Sequence, residues 1–215
     1  MHTSPAPRAT TAAADGPWLL DLGAPVRRTA PPEGLPEHLP EAVLFDRDGT
    51  LVEDVPYNGD PALVTPMPRA RAALDVLRGL GIAVGVVSNQ SGVARGLLDR
   101  ERVEAVARRV DALLGPFAVW AVCPHGPDDL CACRKPAPGL VLAACARLGV
   151  DPRRTAVVGD IGADTGAARA AGARGVLVPT PVTLPEEVAG AEETAPDLLA
   201  AVHLLVTPAP AGGDR

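Results

Sequence analysis

A short apolar run, Ala42 to Phe45, ends in two carboxylates one residue apart, Asp46 and Asp48, with Gly49-Thr50 directly behind them. Four apolar residues followed by a turn signal predict a buried strand. Such a strand delivers both acids to its carboxyl end, where open α/β sheets keep their ligand crevice. Residues two apart in an extended chain point to the same face. Two carboxylates crowded there repel unless a cation lies between them or one holds a proton. A Mg²⁺ site with one Asp as nucleophile needs that arrangement. A solvated Asp-x-Asp turn would look the same in isolation, so the rest of the chain has to decide.

The rest of the chain alternates. The spacing of Ala70, Ala73, Leu74 and Leu77 predicts a helix over residues 69–80, stopped at Gly81. Residues 82–87 read as a second buried strand. Asp99 caps a helix running to about Leu114, with Val103, Val106, Val110 and Leu113 on one face. Further strands are predicted over 117–122, 155–158 and 175–178, and further helices over 138–148, 164–171 and 196–205. Strands alternating with helices predict a doubly wound, Rossmann-like parallel sheet of α/β class, covered on both faces. Only 2% of the chain is aromatic although 47% is hydrophobic, so the core must be built from Ala, Val and Leu. Residues 1–40, rich in Ala and Pro and without hydrophobic period, read as a flexible extension. Trp18-Leu19-Leu20 is its one apolar knot, taken as a stray contact. The folded unit is expected over 41–206, followed by a loose tail over 207–215.

Four motifs fall just after four of these strands. Asp46 and Asp48 follow the first, Ser88-Asn89-Gln90 the second, Arg134-Lys135-Pro136 the third, and Gly159-Asp160 with Asp164 the fourth. They bring together a nucleophilic carboxylate, a hydroxyl, a cation and further acid, the inventory for phosphoryl transfer through an aspartyl phosphate. Singly, each has a plainer reading. Ser88 could be a strand-end turn residue, Lys135 a surface lysine, and Asp164 a helix cap. Between the third strand and Lys135 stand Cys123, His125, Cys131 and Cys133, four ligands suited to tetrahedral Zn²⁺. Free thiols are the alternative. With all four positions filled by protein, such a zinc would be structural, and it would pin the loop over 123–133 that aims Arg134 and Lys135. Cys145 lies on an apolar helix and reads as core.

These motifs, in this order and spacing, resemble those of the haloacid dehalogenase superfamily. Asp46-Arg47-Asp48-Gly49-Thr50 is similar to its first motif, Ser88 to its second, Lys135 to its third, and Asp160 with Asp164 to its fourth. The stretches from Ser88 to Gly96 and from Cys131 to Pro136 resemble the branch that contains heptose 1,7-bisphosphate 7-phosphatase and histidinol phosphatase. The resemblance implies that Asp46 attacks phosphorus, and that Asp48 acts as acid and then base. It implies Mg²⁺ on Asp46, Asp160 and the backbone carbonyl of Asp48. Ser88, Asn89 and Lys135 would hold the phosphoryl group, with Asp164 behind them orienting Lys135 or a metal-bound water. Arg95 and Arg134 are candidates for a second phosphate, and Tyr57 for the substrate mouth.

Only about twenty residues separate Asp48 from the first helix, so no large cap domain is expected. A small phosphorylated metabolite suits an open site of that kind. The loop of five residues between His125 and Cys131 is short for the heptose enzymes and closer to the histidinol phosphatases. Sugar phosphate or bisphosphate is therefore the expected substrate, with histidinol phosphate second. A receiver-type signalling domain or a silent zinc-stabilised binding module would share parts of the pattern. The net charge of −6 gives no field for nucleic acid, and no apolar run has membrane-spanning length. No basic segment followed by an apolar stretch marks a signal peptide, and cysteines clustered for a metal suit a reduced compartment. A cytoplasmic monomer is the expectation.

Overall fold

The computed structural model describes residues 16–22 and 35–208. Its centre is a six-stranded sheet: β1 (Trp18–Leu19), β2 (Ala42–Phe45), β3 (Ala83–Asn89), β4 (Val119–Cys123), β5 (Thr155–Gly159) and β6 (Arg174–Leu177). Their spatial order is β1-β4-β3-β2-β5-β6, and every pairing except β1 with β4 is parallel. The helices are α1 (Ala70–Gly79), α2 (Arg100–Leu114), α3 (Gly139–Leu148), α4 (Gly162–Ala171), α5 (Pro185–Gly190) and α6 (Leu198–Val206). The chain winds outward from β2 to β3 and β4, then returns to the other side of β2 for β5 and β6. That reversal puts the ends of β2 and β5 side by side at a topological switch point, where doubly wound sheets open a crevice.

Strand β2 is buried along its whole length, and its side chains divide between two cores. Val43 and Phe45 face the larger cluster with residues of α1, α2 and α6, while Leu44 faces the smaller one with residues of α3 and α4. Both faces of the sheet are therefore covered, as a parallel sheet requires. Aliphatic side chains fill most of this space. Phe45 is the largest fully buried side chain, and Leu and Val supply those next in size.

One expectation needs correcting. Trp18-Leu19-Leu20 is no stray contact. Trp18 and Leu19 pair antiparallel with Val122 and Ala121 of β4, and Leu20 N donates to Trp120 O at 3.0 Å. Trp18 packs on Leu98, Val103 and Val122, and the Arg100 guanidinium lies 5.3 Å from a Trp18 ring centroid. This part of the expected loose extension thus caps the open edge of the sheet, an edge that would otherwise present unpaired backbone groups. Residues 1–15, 23–34 and 209–215 of the two expected loose ends lie outside the described residues.

Among the described residues no large cap is inserted. Between β2 and α1 the chain forms only bridges at Asp48–Val52 and Val52–Pro66 and a short 3-10 turn at Pro61–Leu63. Tight turns fill the gap between β3 and α2. No helix among the described residues is long and apolar enough to cross a membrane.

Candidate active site

The β-ladder fixes the first acid. Asp46 N donates to Val158 O at 2.9 Å, extending the β2–β5 pairing by one residue and setting the Asp46 side chain at the switch point. Facing it is the ammonium of Lys135, which is only 2% exposed. Lys135 Nζ meets Asp46 Oδ1 at 2.6 Å, Asp164 Oδ1 at 2.5 Å and Val87 O at 2.8 Å. Two of the three ammonium donors make hydrogen bonds, to Asp46 and Val87, and Asp164 adds an ion pair. Asp164 is fully buried. Its Oδ1 has no partner other than Lys135 among the described residues, and its Oδ2 accepts from Ile161 N at 3.3 Å. Asp160, at the end of β5, accepts from Thr50 Oγ1 at 3.1 Å, and its backbone carbonyl accepts from Thr183 Oγ1 at 2.6 Å. Gly49 closes the turn beneath. Its φ is +74°, and a Cβ there would collide with the Asp160 carboxylate.

Oxygens of Asp46, Asp160 and Asp164 all lie within 4.8 Å of one another. Three carboxylates against one ammonium leave two negative charges in a buried space. Burial accordingly pushes Asp46 up to about 8, with Lys135 pulling down and Asp164, Asp48 and Asp160 pushing further up. Burial and the Asp164 charge lift Asp160 to about 6. Burial works against the Lys135 charge, but Asp164 and Asp46 outweigh it and hold the ammonium above its ordinary range. An excess of two charges on hard oxygen donors fits a divalent cation such as Mg²⁺. Both Asp164 oxygens face a donor, Oδ1 the Lys135 ammonium and Oδ2 Ile161 N, whereas Asp46 and Asp160 each keep one oxygen without a donor among the described residues to serve such an ion.

Asp48 is held differently. Arg47, only 2% exposed, forks onto it through Nε to Oδ1 at 2.9 Å and Nη2 to Oδ2 at 2.8 Å. Gln90 Nε2 donates to Asp48 Oδ2 and to Ser88 Oγ, both at 2.9 Å. Gln90 thereby joins the first motif to the second. Ser88 is 1% exposed beside it. Asn89, expected at the phosphate, has both ends of its amide engaged by the Lys135 backbone. Its Oδ1 accepts from Lys135 N at 3.1 Å and its Nδ2 donates to Lys135 O at 3.2 Å. It braces the loop that carries the buried ammonium.

Above this floor opens a cavity of about 380 Å³. Its lining includes Asp46, Asp48, Asn89, Arg134, Lys135 and Asp160, brought together from four separate stretches of sequence. Arg134 donates to His125 O at 3.4 Å and forms no ion pair among the described residues. Arg95 is not in the lining; its guanidinium stands 5.4 Å from the Tyr57 ring centroid, and Tyr57 is in the lining. Sequence reasoning gave no role to Arg47, Asp54, Gln90, Thr183 or Val182. An Arg between two Asp residues is a signal for the first of these. The loop after β6 that brings Val182 carries no signal at all.

The cysteine loop runs directly into Arg134 and Lys135 of the lining. Cys123 Sγ lies 3.2 Å from Cys133 Sγ and 3.7 Å from Cys131 Sγ, and Cys131 and Cys133 are 3.6 Å apart. His125 Nδ1 sits 3.3 Å from Cys133 Sγ and 3.5 Å from Cys123 Sγ. All four cysteines of the chain are free thiols. A tetrahedron with Zn–S bonds of about 2.3 Å has edges of about 3.8 Å, so the four groups fit one zinc ion. Burial pushes the Cys123 and Cys133 thiols up. Burial acts on Cys131 in the same sense, but backbone N–H groups of Arg134 and Cys133 outweigh it and draw that thiol down. The loop leads straight into α3 through Gly139 N, which donates to Ala132 O at 3.1 Å.

A family model described as HAD-hyrolase-like matches residues 132–204, the part that carries Lys135, Asp160 and Asp164. The D-glycero-beta-D-manno-heptose-1,7-bisphosphate 7-phosphatase of Pseudomonas aeruginosa is 38% identical over 147 residues, covering 64% of this chain and 80% of that protein. Its namesake in Mesorhizobium japonicum is 36% identical over 181 residues, 76% of each chain. Among solved structures, the D,D-heptose 1,7-bisphosphate phosphatase of Bordetella bronchiseptica with magnesium and phosphate superposes with a TM-score of 0.68 at 30% identity, covering 77% of this chain and 98% of that one. An HAD-like phosphatase from Mesorhizobium loti gives 0.65 at 34% identity, covering 90% and 96%.

The charge excess has a consequence for stability without metal. An unfolded Asp ionises near 3.8, while Asp46 in the fold resists until about 8. Over that window the folded state binds the extra proton, so its stability falls as pH rises and levels off above it. Asp160 contributes to the fall up to about pH 6. Urea unfolding in a chelator, for wild type and Asp46→Asn, reads the effect as a difference. The wild type should lose stability relative to the variant between about pH 4 and pH 8, and millimolar Mg²⁺ should reverse the loss. A difference that does not change with pH would contradict the charge count.

Proposed function

Because the chain belongs to the haloacid dehalogenase superfamily of phosphatases, in the branch of the heptose bisphosphate and histidinol phosphatases, we propose that it is a Mg²⁺-dependent phosphomonoester hydrolase acting on a small sugar bisphosphate of the heptose 1,7-bisphosphate type. The observation that carries this reading is the buried cluster of Asp46, Lys135, Asp164 and Asp160 on the floor of an open cavity. Mg²⁺ would be held by Asp46, Asp160 and the backbone carbonyl of Asp48. When bound, it supplies positive charge to the phosphoryl oxygens.

The chain's own residues perform the transfer. A carboxylate oxygen of Asp46 attacks phosphorus in line with the ester bond, and the bond to the sugar oxygen breaks. Asp48, protonated from solvent once it leaves the Arg47 fork, gives that proton to the departing alkoxide, so an alcohol leaves. It then takes a proton from water, and the resulting hydroxide attacks phosphorus to release phosphate and restore Asp46. Lys135 offsets charge on the phosphoryl group, and Asp164 keeps its ammonium aimed. Asn89 and the cysteine loop fix the Lys135 backbone. Cys123, His125, Cys131 and Cys133 would hold a structural Zn²⁺ that stiffens this loop. That Arg134 lines the cavity without a carboxylate partner among the described residues supports reading it as the group that receives a second phosphate of the substrate. We further read the enzyme as a cytoplasmic monomer, which light scattering and cell fractionation would check.

The short loop between His125 and Cys131 favours histidinol phosphate as the rival substrate. Phosphate release from heptose 1,7-bisphosphate and from histidinol phosphate, with Mg²⁺ present, separates the two. The bisphosphate should be turned over with the higher kcat/KM, and comparable poor turnover of both would remove the assignment. Asp46→Asn should lower kcat by a factor of about 10³ or more while keeping the folded circular dichroism spectrum. An active Asp46→Asn protein would remove the covalent mechanism. Elemental analysis of protein purified without chelator should return about one zinc per chain. A protein with no zinc and unchanged thermal stability after chelation would refute the structural metal.

A further inference from the structure

We propose that Tyr57 is a specificity-determining residue of this cavity, presenting its ring to the carbon skeleton of a cyclic sugar phosphate. The inference rests on the phosphatase reading above and specifies what the site recognises besides phosphate. Phosphate recognition needs cations and amides, and these occupy the floor. They cannot distinguish a sugar from a short alkyl chain, because both present the same anion.

The aromatic inventory isolates Tyr57. The chain holds two Trp, two Phe and this single Tyr. Phe45, Phe117 and Trp120 are buried in the core, and Trp18 packs at the sheet edge. Tyr57 is 42% exposed and is the one aromatic residue lining the cavity. A core built almost without aromatics has placed its only tyrosine at the active-site mouth.

Its backbone is unusual as well. Tyr57 has φ +52°, in the left-handed region that side chains with a Cβ disfavour. Such strain persists where the surroundings determine it, and here they do. Arg95 covers the ring at 5.4 Å, within cation–π range. Gly92 leaves it room, since a Cβ at Gly92 would come within 2.9 Å of Tyr57 Cδ1 and of Leu98 Cδ1. Gly92 and Arg95 belong to the same turn after β3 that carries Gln90 and Ser91 into the cavity. The ring is thus set by the turn that also braces the catalytic acid Asp48 through Gln90. Val55, Pro56 and Val182 add apolar surface to the lining. Most of the lining is charged or polar, so these residues and the Tyr57 ring make the apolar part of the wall. The C–H face of a sugar ring is apolar while its hydroxyls lie at the rim, so it matches an aromatic wall. A short, flexible alkyl chain lacks that ring face and offers far less surface to stack there.

Steady-state kinetics on heptose 1,7-bisphosphate and on n-propyl phosphate test this. Three proteins are compared: wild type, Tyr57→Phe, and Tyr57→Gly, which keeps the left-handed backbone and removes the ring. Tyr57→Gly should raise KM for the bisphosphate about tenfold with kcat within about twofold, and leave KM for propyl phosphate unchanged. Tyr57→Phe should match wild type on both. An equal rise in KM on both compounds, or a fall in kcat on both, would mean that the ring only supports the loop. An unchanged KM for the bisphosphate would also overturn the proposal. Those results leave the phosphatase reading standing. A wild type that hydrolyses propyl phosphate and ignores the bisphosphate would overturn the sugar reading and this inference together.

Discussion

The ammonium of Lys135, buried between Asp46 and Asp164, is the interaction on which the site depends. It joins residues 89 and 29 positions away in sequence and ties the ends of β2 and β3 to the start of α4. Removing one partner from a buried ion pair costs about 3–5 kcal/mol, because the other charge is left uncompensated. Two carboxylates would be stranded here. The fold therefore secures the lysine from its backbone outward. The Asn89 amide grips both sides of the Lys135 peptide, and the cysteine loop approaches two residues earlier. One cation still does not balance three acids, and that shortfall gives the cavity floor its demand for a divalent ion.

This arrangement explains how an acidic chain can bind an anionic substrate. With a net charge of −6, the protein as a whole repels phosphate. Attraction has to be local. Lys135 and Arg134 line the cavity, and Arg47 neutralises Asp48 by a bidentate contact. Bound metal would complete the change of sign. Without a large cap, the cavity wall comes from the turn after β3, the Tyr57 loop, Arg134 and Lys135 behind the cysteine loop, and the segment after β6. Selectivity must then reside in short loops whose shape is fixed by local contacts such as Arg95 on Tyr57.

Much of this was legible in the sequence because the signals were local. Ala42–Phe45 is uniformly apolar, and it is a fully buried central strand. Asp99 was read as a cap, and its carboxylate accepts from Arg102 N at 2.8 Å. What the sequence concealed depended on contacts distant along the chain. Trp18–Leu19 is too short to show alternation, and only the edge of β4 makes it a strand. Strand β3 extends to Asn89, beyond the apolar run, because Ser88 and Asn89 pair with Val122 and Cys123. Helix α5 spans only six residues. Its Pro at the first turn and the caps from Glu187 were weak signals beside the surrounding polar sequence. Among the site residues, Asp46, Asp160 and the four zinc-type ligands stood out by type and spacing. Asn89 did not reveal that its amide faces the Lys135 backbone, since no local pattern encodes a pairing across 46 positions.

The central claim is that Asp46 accepts the phosphoryl group, with its neighbours organised around that event. Beryllium fluoride mimics a phosphoryl group on carboxylate oxygen, and a crystal structure of the protein grown with Mg²⁺ and beryllium fluoride would locate it. The account predicts a beryllofluoride bonded to an Asp46 oxygen, with the Lys135 ammonium still beside it. An adduct on Asp48 or Asp160, or none with Asp46 turned away from Lys135, would contradict it.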